Sequence, residues 1–394
     1  MDSFDDLIAP FSRRGVDLGL DRLKAALAEL GHPERQFRAV QVAGTNGKGS
    51  ICTFVEAGLK AAGIRCGLYT SPHLVSWTER IRINATPIAA PELRRILETL
   101  QPLGLQFDLT PFELITAAAF VALAEAGVEL AVLEVGLGGR LDATTCHPNR
   151  ELIGFASIGL DHAEVLGPTA AAIAAEKAGV LEPGCTAFSA PQSPEVAAVL
   201  EAQAQRCGAE LHWLEPLNPG AWQLGLAGAV QHSNGAVALA LLEALAARGW
   251  PISPTAIREG LAAARWPGRL QPYQWRGQPL LLDGAHNLPA CLKLRAELDR
   301  DPGPRHWVIG ILANKQAAEM LEVLLAPGDR AWLVPVPEHT SWSRAALVEA
   351  RPGLAGQLEE AEDLTAALEA ATSAAPGAVM VAGSLYLLGD LLAG

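Results

Sequence analysis

Apolar positions along this chain alternate between short continuous runs and longer stretches with helical spacing. Runs at 39–43, 66–70, 130–134 and 152–158 predict strands, whereas 20–31, 50–63 and 111–126 predict helices. Thr169 supplies a cap for another helix reaching Lys177, and an alanine- and leucine-rich helix is predicted over 233–247. The pattern breaks over 265–280, where Trp266-Pro267-Gly268-Arg269 and Gln271-Pro272 interrupt it. Alternation then resumes with strands at 280–283, 307–310, 331–334 and 378–382, helices at 289–298 and 315–325, and a short helix from Ser384. The expected architecture is α/β: a domain over 1–270 and a smaller one over 271–394, each a parallel sheet with helices on its faces.

The chain has 394 residues, half of them hydrophobic, which is enough to bury two cores. Its net charge of −13 argues against nonspecific nucleic-acid binding and adhesion to anionic membranes, so neither partner is expected. A local basic pocket for a small anion remains compatible with that charge. Six cysteines without a CxxC spacing read as reduced thiols of a cytoplasmic protein, not a disulfide framework or zinc site. The stretch at 114–133 is interrupted by Glu125, Gly127 and Glu129, so it predicts a buried helix, a turn and a strand, not a membrane span. The start of the chain has neither a basic cluster nor an apolar run, and no secretory signal is expected.

Candidate chemistry concentrates at predicted strand ends. Gly44-Thr45-Asn46-Gly47-Lys48-Gly49-Ser50 is a glycine-rich turn between a strand and a helix, a pattern that converges backbone N–H groups on phosphate. It departs from the standard phosphate loop, with Val42 at the first glycine position and Gly49 where a hydroxyl should follow Lys48. The bland alternative is a tight turn with a chance lysine. Glu134, before Val135-Gly136-Leu137-Gly138-Gly139, suits Mg²⁺ as a hard oxygen ligand, or is simply a solvated acid ending a strand. Asp161-His162 and Ser71-Pro72-His73 occupy equivalent strand-end loops; His162 reads as a metal or phosphate contact, or as a hydrogen-bonded loop histidine. Lys177 alone reads as a favourable cation at a helix C-terminus. Arg80 and Arg82 read as carboxylate-binding or as a solvated strand face. Asp283-Gly284-Ala285-His286-Asn287 ends a strand of the smaller domain, placing the expected ligand between domains. His232 and Asn234 read as an ordinary helix-opening pair or as a nucleotide contact.

Assembled in order, these segments resemble the folate branch of the Mur-type ligases, the dihydrofolate synthase and folylpolyglutamate synthase family. The resemblance runs over nearly the whole chain. It includes the turn at 42–50, Thr70-Ser71-Pro72-His73-Leu74, Glu79-Arg80-Ile81, Thr110-Pro111-Phe112-Glu113 and Glu134 through Thr144. It continues in Gly159-Leu160-Asp161-His162, Glu176-Lys177-Ala178-Gly179, Arg265-Trp266-Pro267-Gly268-Arg269-Leu270, Asp283 through Asn287, and Gly383-Ser384-Leu385-Tyr386.

The resemblance implies an N-terminal P-loop-type ATPase domain that also binds magnesium and folate. It further implies a C-terminal Rossmann-like domain contributing to ATP and glutamate binding. ATP contacts are expected at Gly44, Thr45, Asn46, Gly47, Lys48, Gly49, Ser50, Asn234, Arg269 and Asp283. Metal ligands are expected at Ser71, Glu134, His162 and Lys177, the lysine carbamylated, which would replace its helix-end-charge reading. Thr110, Pro111, Phe112, Glu113, Leu141, Asp142 and Ala143 match folate-binding segments, and Arg80, Arg82 and His286 line the cleft. Lys48, Lys177 and His162 are the expected catalytic set, with ATP, Mg²⁺ and a monovalent cation (K⁺) as cofactors. Partners implied are ATP, L-glutamate and dihydropteroate or reduced folates, in a cytoplasmic monomer.

Three positions depart from the family pattern: Val230 replaces a histidine, Leu288 separates Asn287 from Pro289, and Asn314-Lys315-Gln316 replaces Asp-Lys-Asp. The implied reaction forms an acyl phosphate on a pteroate or folate carboxylate and then an amide with glutamate. A ligase for another carboxylate, such as a cell-wall precursor, and a non-catalytic nucleotide- or folate-binding protein are the competing readings.

Overall fold

The computed structural model describes residues 4–374 and 377–394. The chain divides into two compact units, one running to Gly225 and including Gln231–Arg265, the other comprising Leu226–Val230 and Trp266–Gly394. The break expected at 270/271 therefore falls after Arg265, and a short strip preceding the helix Val230–Ala247 belongs with the second unit.

The first unit contains β1 (Arg38–Ala43), β2 (Cys66–Tyr69), β3 (Ile81–Ile83), β4 (Thr86–Pro87), β5 (Leu130–Glu134), β6 (Arg150–Phe155), β7 (Thr186–Ser189) and β8 (Glu210–Trp213). Its sheet order is β4-β3-β2-β5-β1-β6-β7-β8. From β2 to β8 every neighbouring pair is parallel. At the other edge β3 returns antiparallel to β2, and β4 to β3, which corrects the expectation of a purely parallel sheet. The physical reason is the connection between β2 and β3, which holds only a short 3-10 turn, Trp77–Arg80, and no crossover helix.

The four central parallel strands, β2-β5-β1-β6, end along one edge. β5 itself ends on Glu134, and the loops after β2, β1 and β6 carry Ser71, the turn at 44–47, and His162. Register places Ala39, Gln41 and Ala43 of β1 on one face, beside Ala131 and Leu133 of β5 and Ile153 and Phe155 of β6. That face meets two apolar clusters. One holds Leu93, Leu97, Leu114, Phe120 and Leu133; the other holds Ile153, Phe155, Ile173, Val196 and Leu200. On the opposite face Val42 and Gly154 lie against Val237 and Leu241 of the helix Val230–Ala247.

The helix Pro111–Glu125 begins with a full capping box, Thr110 and Glu113 answering each other's backbone N–H, and with proline in its first turn. The helix Ala90–Gln106 is absent from the sequence expectation because it contains Pro102, a residue that normally ends a helical pattern.

The second unit contains β9 (Gln271–Trp275), β10 (Gln278–Leu282), β11 (Arg305–Ile309), β12 (Arg330–Leu333), β13 (Leu358–Glu360) and β14 (Ala378–Ala382), in the order β13-β12-β11-β14-β10-β9. Here too the sheet is mixed, because β9 and β10 form a hairpin. Its turn residues Arg276 and Gly277 both have positive φ, as a tight two-residue turn requires. Trp307 is fully buried, and its indole N–H donates to Asp329 Oδ2 at 3.0 Å; the same carboxylate accepts from the N–H of Arg305 and Ala326. Among the described residues no helix is long and apolar enough to cross a membrane.

One candidate site residue has a packing role instead. Arg82, on β3, pairs with the buried Glu56 of the helix Lys48–Ala61 at 3.0 Å and donates to the Ala85 carbonyl. It is neither a cleft cation nor part of a solvated strand face, because Glu56 is a dry carboxylate that needs a counter-charge. Burial pushes the Glu56 carboxyl up to about 7, with Arg82 opposing that rise. A carboxyl raised in the folded state contributes stability that is complete below its unfolded value, 4.5, and is lost as pH rises through about 7. Arg82→Met is expected to lower the unfolding free energy by about 3 kcal/mol at pH 8, read from urea midpoints. The loss should shrink towards pH 5, where folded Glu56 holds its proton; equal losses at both pH values would contradict this assignment.

Candidate active site

The turn after β1 is built by two glycines in conformations closed to other residues. Gly44 has φ +143° and Gly47 has φ +99°; a Cβ on Gly47 would lie 2.4 Å from Asn234 Oδ1. Asn234 is buried and held by its Nδ2 bond to Gln231 Oε1 at 2.9 Å, so it fills the space beside the turn. The helix Lys48–Ala61 follows directly, aiming the first-turn N–H groups of Lys48, Gly49 and Ser50 along the direction that favours an anion. Ser50 Oγ is buried without a protein partner.

Two residues of the expected ATP-binding run face inward. The N–H groups of Thr45 and Asn46 both donate to the Ser157 carbonyl, and Thr45 Oγ1 donates to the Gly159 carbonyl at 3.0 Å. These atoms bind the turn to the loop after β6, so the Thr45 and Asn46 N–H groups are already engaged within the fold. Gln192 extends that lattice, accepting from Ile158 N and donating to the Ala156 carbonyl. Nothing in sequence spacing singles it out.

Ser71 and Glu134 are adjacent: the Ser71 N–H donates to Glu134 Oε2 at 3.2 Å, and Glu134 is buried. The Ser71 loop is shaped by Glu79, whose carboxylate accepts from the N–H groups of Leu74, Val75 and Ser76. Arg80 lies over the Trp77 ring and donates from Nε to His73 Nδ1 at 2.9 Å. Burial, and then the Arg80 charge, hold the His73 imidazole down at about 3, so it is a neutral acceptor. Arg80 thus organises the loop carrying Ser71.

Lys177 is the most telling side chain. It sits in the last turn of the helix Ala170–Ala178, yet it is only 5% exposed. Burial and the nearby Lys48 charge pull its ammonium down to about 7, while Asp142 and Asp161 oppose the shift. The reading as a favourable helix-end cation is thereby corrected: this amine is buried, and its charged form is disfavoured on balance. His162 is the least enclosed of the expected ligands. It has φ +51°, starts the short helix Ala163–Leu166, and lies near Asp161 and Glu164.

The two expected folate segments come together. Phe112 packs where a Cβ on Gly136 would stand 2.4 Å from its ring, and Phe112 lies 6.1 Å from the Tyr69 ring. Asp142, however, is committed to its own loop. Its Oδ2 accepts from the N–H of Gly136 and Leu137, and its Oδ1 from the N–H and hydroxyl of Thr144. Burial raises its carboxyl, and these bonds oppose that rise. Glu113 is likewise engaged by its capping box and by Arg22, which also binds Asp17. Arg22 and Asp17 were not singled out in the sequence, although they are linked to the Thr110 segment.

In the second unit, Asp283 accepts from Leu270 N and Ala285 N, and burial raises its carboxyl against the opposing Arg269 charge. Arg269 donates to the Gly268 carbonyl, and His286 Nδ1 lies 2.8 Å from the Gly284 carbonyl. Asn287 caps the helix Leu288–Leu298. The divergent Asn314-Lys315-Gln316 segment is held by Trp342, whose indole donates to the Lys315 carbonyl.

Among the described residues no three His, Cys, Asp or Glu side chains are grouped as a metal site. The expected ligand set contains only two such residues, Glu134 and His162, beside Ser71 and Lys177. Its fit to a cation therefore depends on the chemical state of Lys177.

Comparison with known proteins places these features in a wider group. Residues 269–394 match the family model described as dihydrofolate synthetase, C-terminal domain. The chain is 32% identical to the dihydrofolate synthetase of Saccharomyces cerevisiae over 417 aligned positions, covering 96% of this chain and 97% of that protein. The Escherichia coli FolC structure in complex with DHPP and ADP superposes with a TM-score of 0.89 at 30% identity, covering 100% of this chain and 97% of the other. A bifunctional folylpolyglutamate synthase/dihydrofolate synthase with Mn, AMPPNP and L-glutamate bound gives a TM-score of 0.83 at 30% identity, covering 98% and 96%.

Proposed function

The chain belongs to the dihydrofolate synthase/folylpolyglutamate synthase family of ATP-dependent glutamate ligases, and on that premise we propose how its residues carry the reaction. The substrate carboxylate belongs to dihydropteroate, to reduced folate polyglutamates, or to both. The observation that carries the proposal is the seat of Lys177: a buried amine near Lys48, Asp142 and Asp161, on the helix to which the loop after β5 is bonded. Such an amine is readily neutral. Addition of CO₂ then forms an N–C bond with loss of one proton and turns the side chain into a carbamate.

With that change, Ser71, Glu134, His162 and carbamylated Lys177 form an oxygen- and nitrogen-rich set suited to Mg²⁺. The unpartnered Ser50 Oγ and the first-turn N–H groups that follow Gly47 fit a phosphate chain at the helix N-terminus. Mg²⁺, when bound, neutralises charge on the phosphoryl oxygens. Lys48 adds a second positive charge at the same phosphates, and Asn234 braces the turn that holds them. On the second unit, Arg269, Asp283 and His286 are proposed nucleotide- and substrate-facing residues.

The Thr110–Glu113 and Leu141–Ala143 segments hold the pterin end, with Phe112 as its apolar surface. A carboxylate oxygen bonds to the γ-phosphorus as the bond to ADP breaks. The glutamate nitrogen next attacks the acyl carbon, phosphate departs, and the nitrogen loses a proton as the amide forms. The six unpaired cysteines support a reducing, cytoplasmic setting.

The decisive assay supplies ATP, Mg²⁺ and L-glutamate with dihydropteroate or tetrahydrofolate separately, and resolves products by mass. ADP release coupled to addition of one glutamate is expected; in a parallel arm with a UDP-linked muropeptide precursor and its amino acid, turnover there alone would overturn the folate assignment. Lys177→Ala is expected to lower kcat about a hundredfold. Gly47→Ala should raise KM for ATP roughly tenfold or more, because Asn234 must move from the turn. Unchanged constants in either variant would count against the corresponding role.

A further inference from the structure

Gln41 is a fully buried amide in the middle of β1, otherwise lined by Ala39, Val40, Val42 and Ala43. An amide in such a place is costly unless every polar atom is matched. Here they are matched. Its Nε2 donates to Thr144 Oγ1 at 2.8 Å and to Thr145 Oγ1 at 3.0 Å, and its Oε1 accepts from Arg150 Nη1 at 2.5 Å. It also stands where the two apolar clusters on this face of the sheet adjoin, so no single core demands a polar group there.

From Gln41 the bonds run to both structures that seat Lys177. Thr145 Oγ1 donates to the Gly139 carbonyl, and Thr144 joins Asp142, which binds Gly136 and Leu137. Gly139 lies so close to the helix end that a Cβ there would stand 2.8 Å from the Lys177 carbonyl oxygen. The next residue, Arg140, donates its N–H to the Glu176 carbonyl. On the other side, Arg150 donates to the Val180 carbonyl at 3.2 Å and pairs with Glu182, while Val180 N donates to the Lys177 carbonyl. Arg150, through Val180, and Gln41, through Thr145 and Gly139, therefore reach the backbone around Lys177 from two directions.

We propose that Gln41 and Arg150 are positioning residues that hold the Lys177 side chain in register with Glu134 and so set the extent of its carbamylation. The proposal rests on the ligase reading of Lys177. Buried polar networks of this type act through geometry: their members hold a ligating group in place without touching substrate.

The test compares wild type with Gln41→Met, which keeps length but loses all three bonds, and with Gln41→Glu, which keeps the acceptor for Arg150 but loses the donor to the two threonine hydroxyls. Proteins equilibrated with ¹³C-bicarbonate are examined for the lysine carbamate resonance, kcat, KM for ATP and half-saturating Mg²⁺. Gln41→Met is expected to lose most of the carbamate signal, to lose about tenfold or more in kcat, and to need correspondingly more Mg²⁺. Its KM for ATP should move less than about twofold, and Gln41→Glu should recover part of the loss. If Gln41→Met does not fold, Thr145→Val cuts the same path outside the sheet and carries the same expectation.

Wild-type carbamate signal, kcat and Mg²⁺ dependence in the folded variant would overturn this inference alone. Absence of the carbamate in wild type, with full turnover of Lys177→Ala, would instead overturn the ligase reading of Lys177 and this proposal with it.

Discussion

Everything chemical in the first unit depends on the parallel alignment of β2, β5, β1 and β6. Parallel neighbours deliver their C-terminal ends to one edge, and each end must be followed by a loop. The four loops then share one small region, where they are bonded to one another as well as to their strands. Thr45 is tied to Gly159, Ser71 to Glu134, and Arg140, in the loop after β5, to the Glu176 carbonyl of the helix that carries Lys177. Antiparallel additions are confined to β3 and β4, at the margin, where they leave this alignment intact.

The second physical theme is how polar groups survive in dry places. Asp142 has four donors, Gln41 three partners, and Asp329 three donors plus the nearby Arg295. Lys177 is different, since its surroundings disfavour the charged amine instead of matching it. A structural lysine in a helix end would extend into water. The contrast separates polar groups matched by partners from an amine that burial draws towards its neutral form.

Much of this was legible in the sequence because the signals were local. Apolar runs located β1, β2 and β5, and glycines, Lys48, Glu134 and His162 marked the strand-end loops. Long-range relations were not legible. Periodicity cannot show that Arg82 will find Glu56, or that the Thr45 and Asn46 N–H groups will turn to Ser157. Pro102 concealed a real helix, and the hairpin at Arg276-Gly277 fell inside a stretch read only as a break. Lys177 illustrates the limit most clearly: its helical position suggested a favourable helix-end cation, while its burial is decided by loops distant along the chain.

The carboxylate of Glu79 has a consequence for how the site meets its surroundings. Three consecutive N–H groups, from Leu74, Val75 and Ser76, form a receptor for an anion, and a side chain of the same chain already fills it. Free phosphate and free glutamate thus find no vacancy there. The contour of the Ser71 loop is thereby set by a carboxylate of the chain itself.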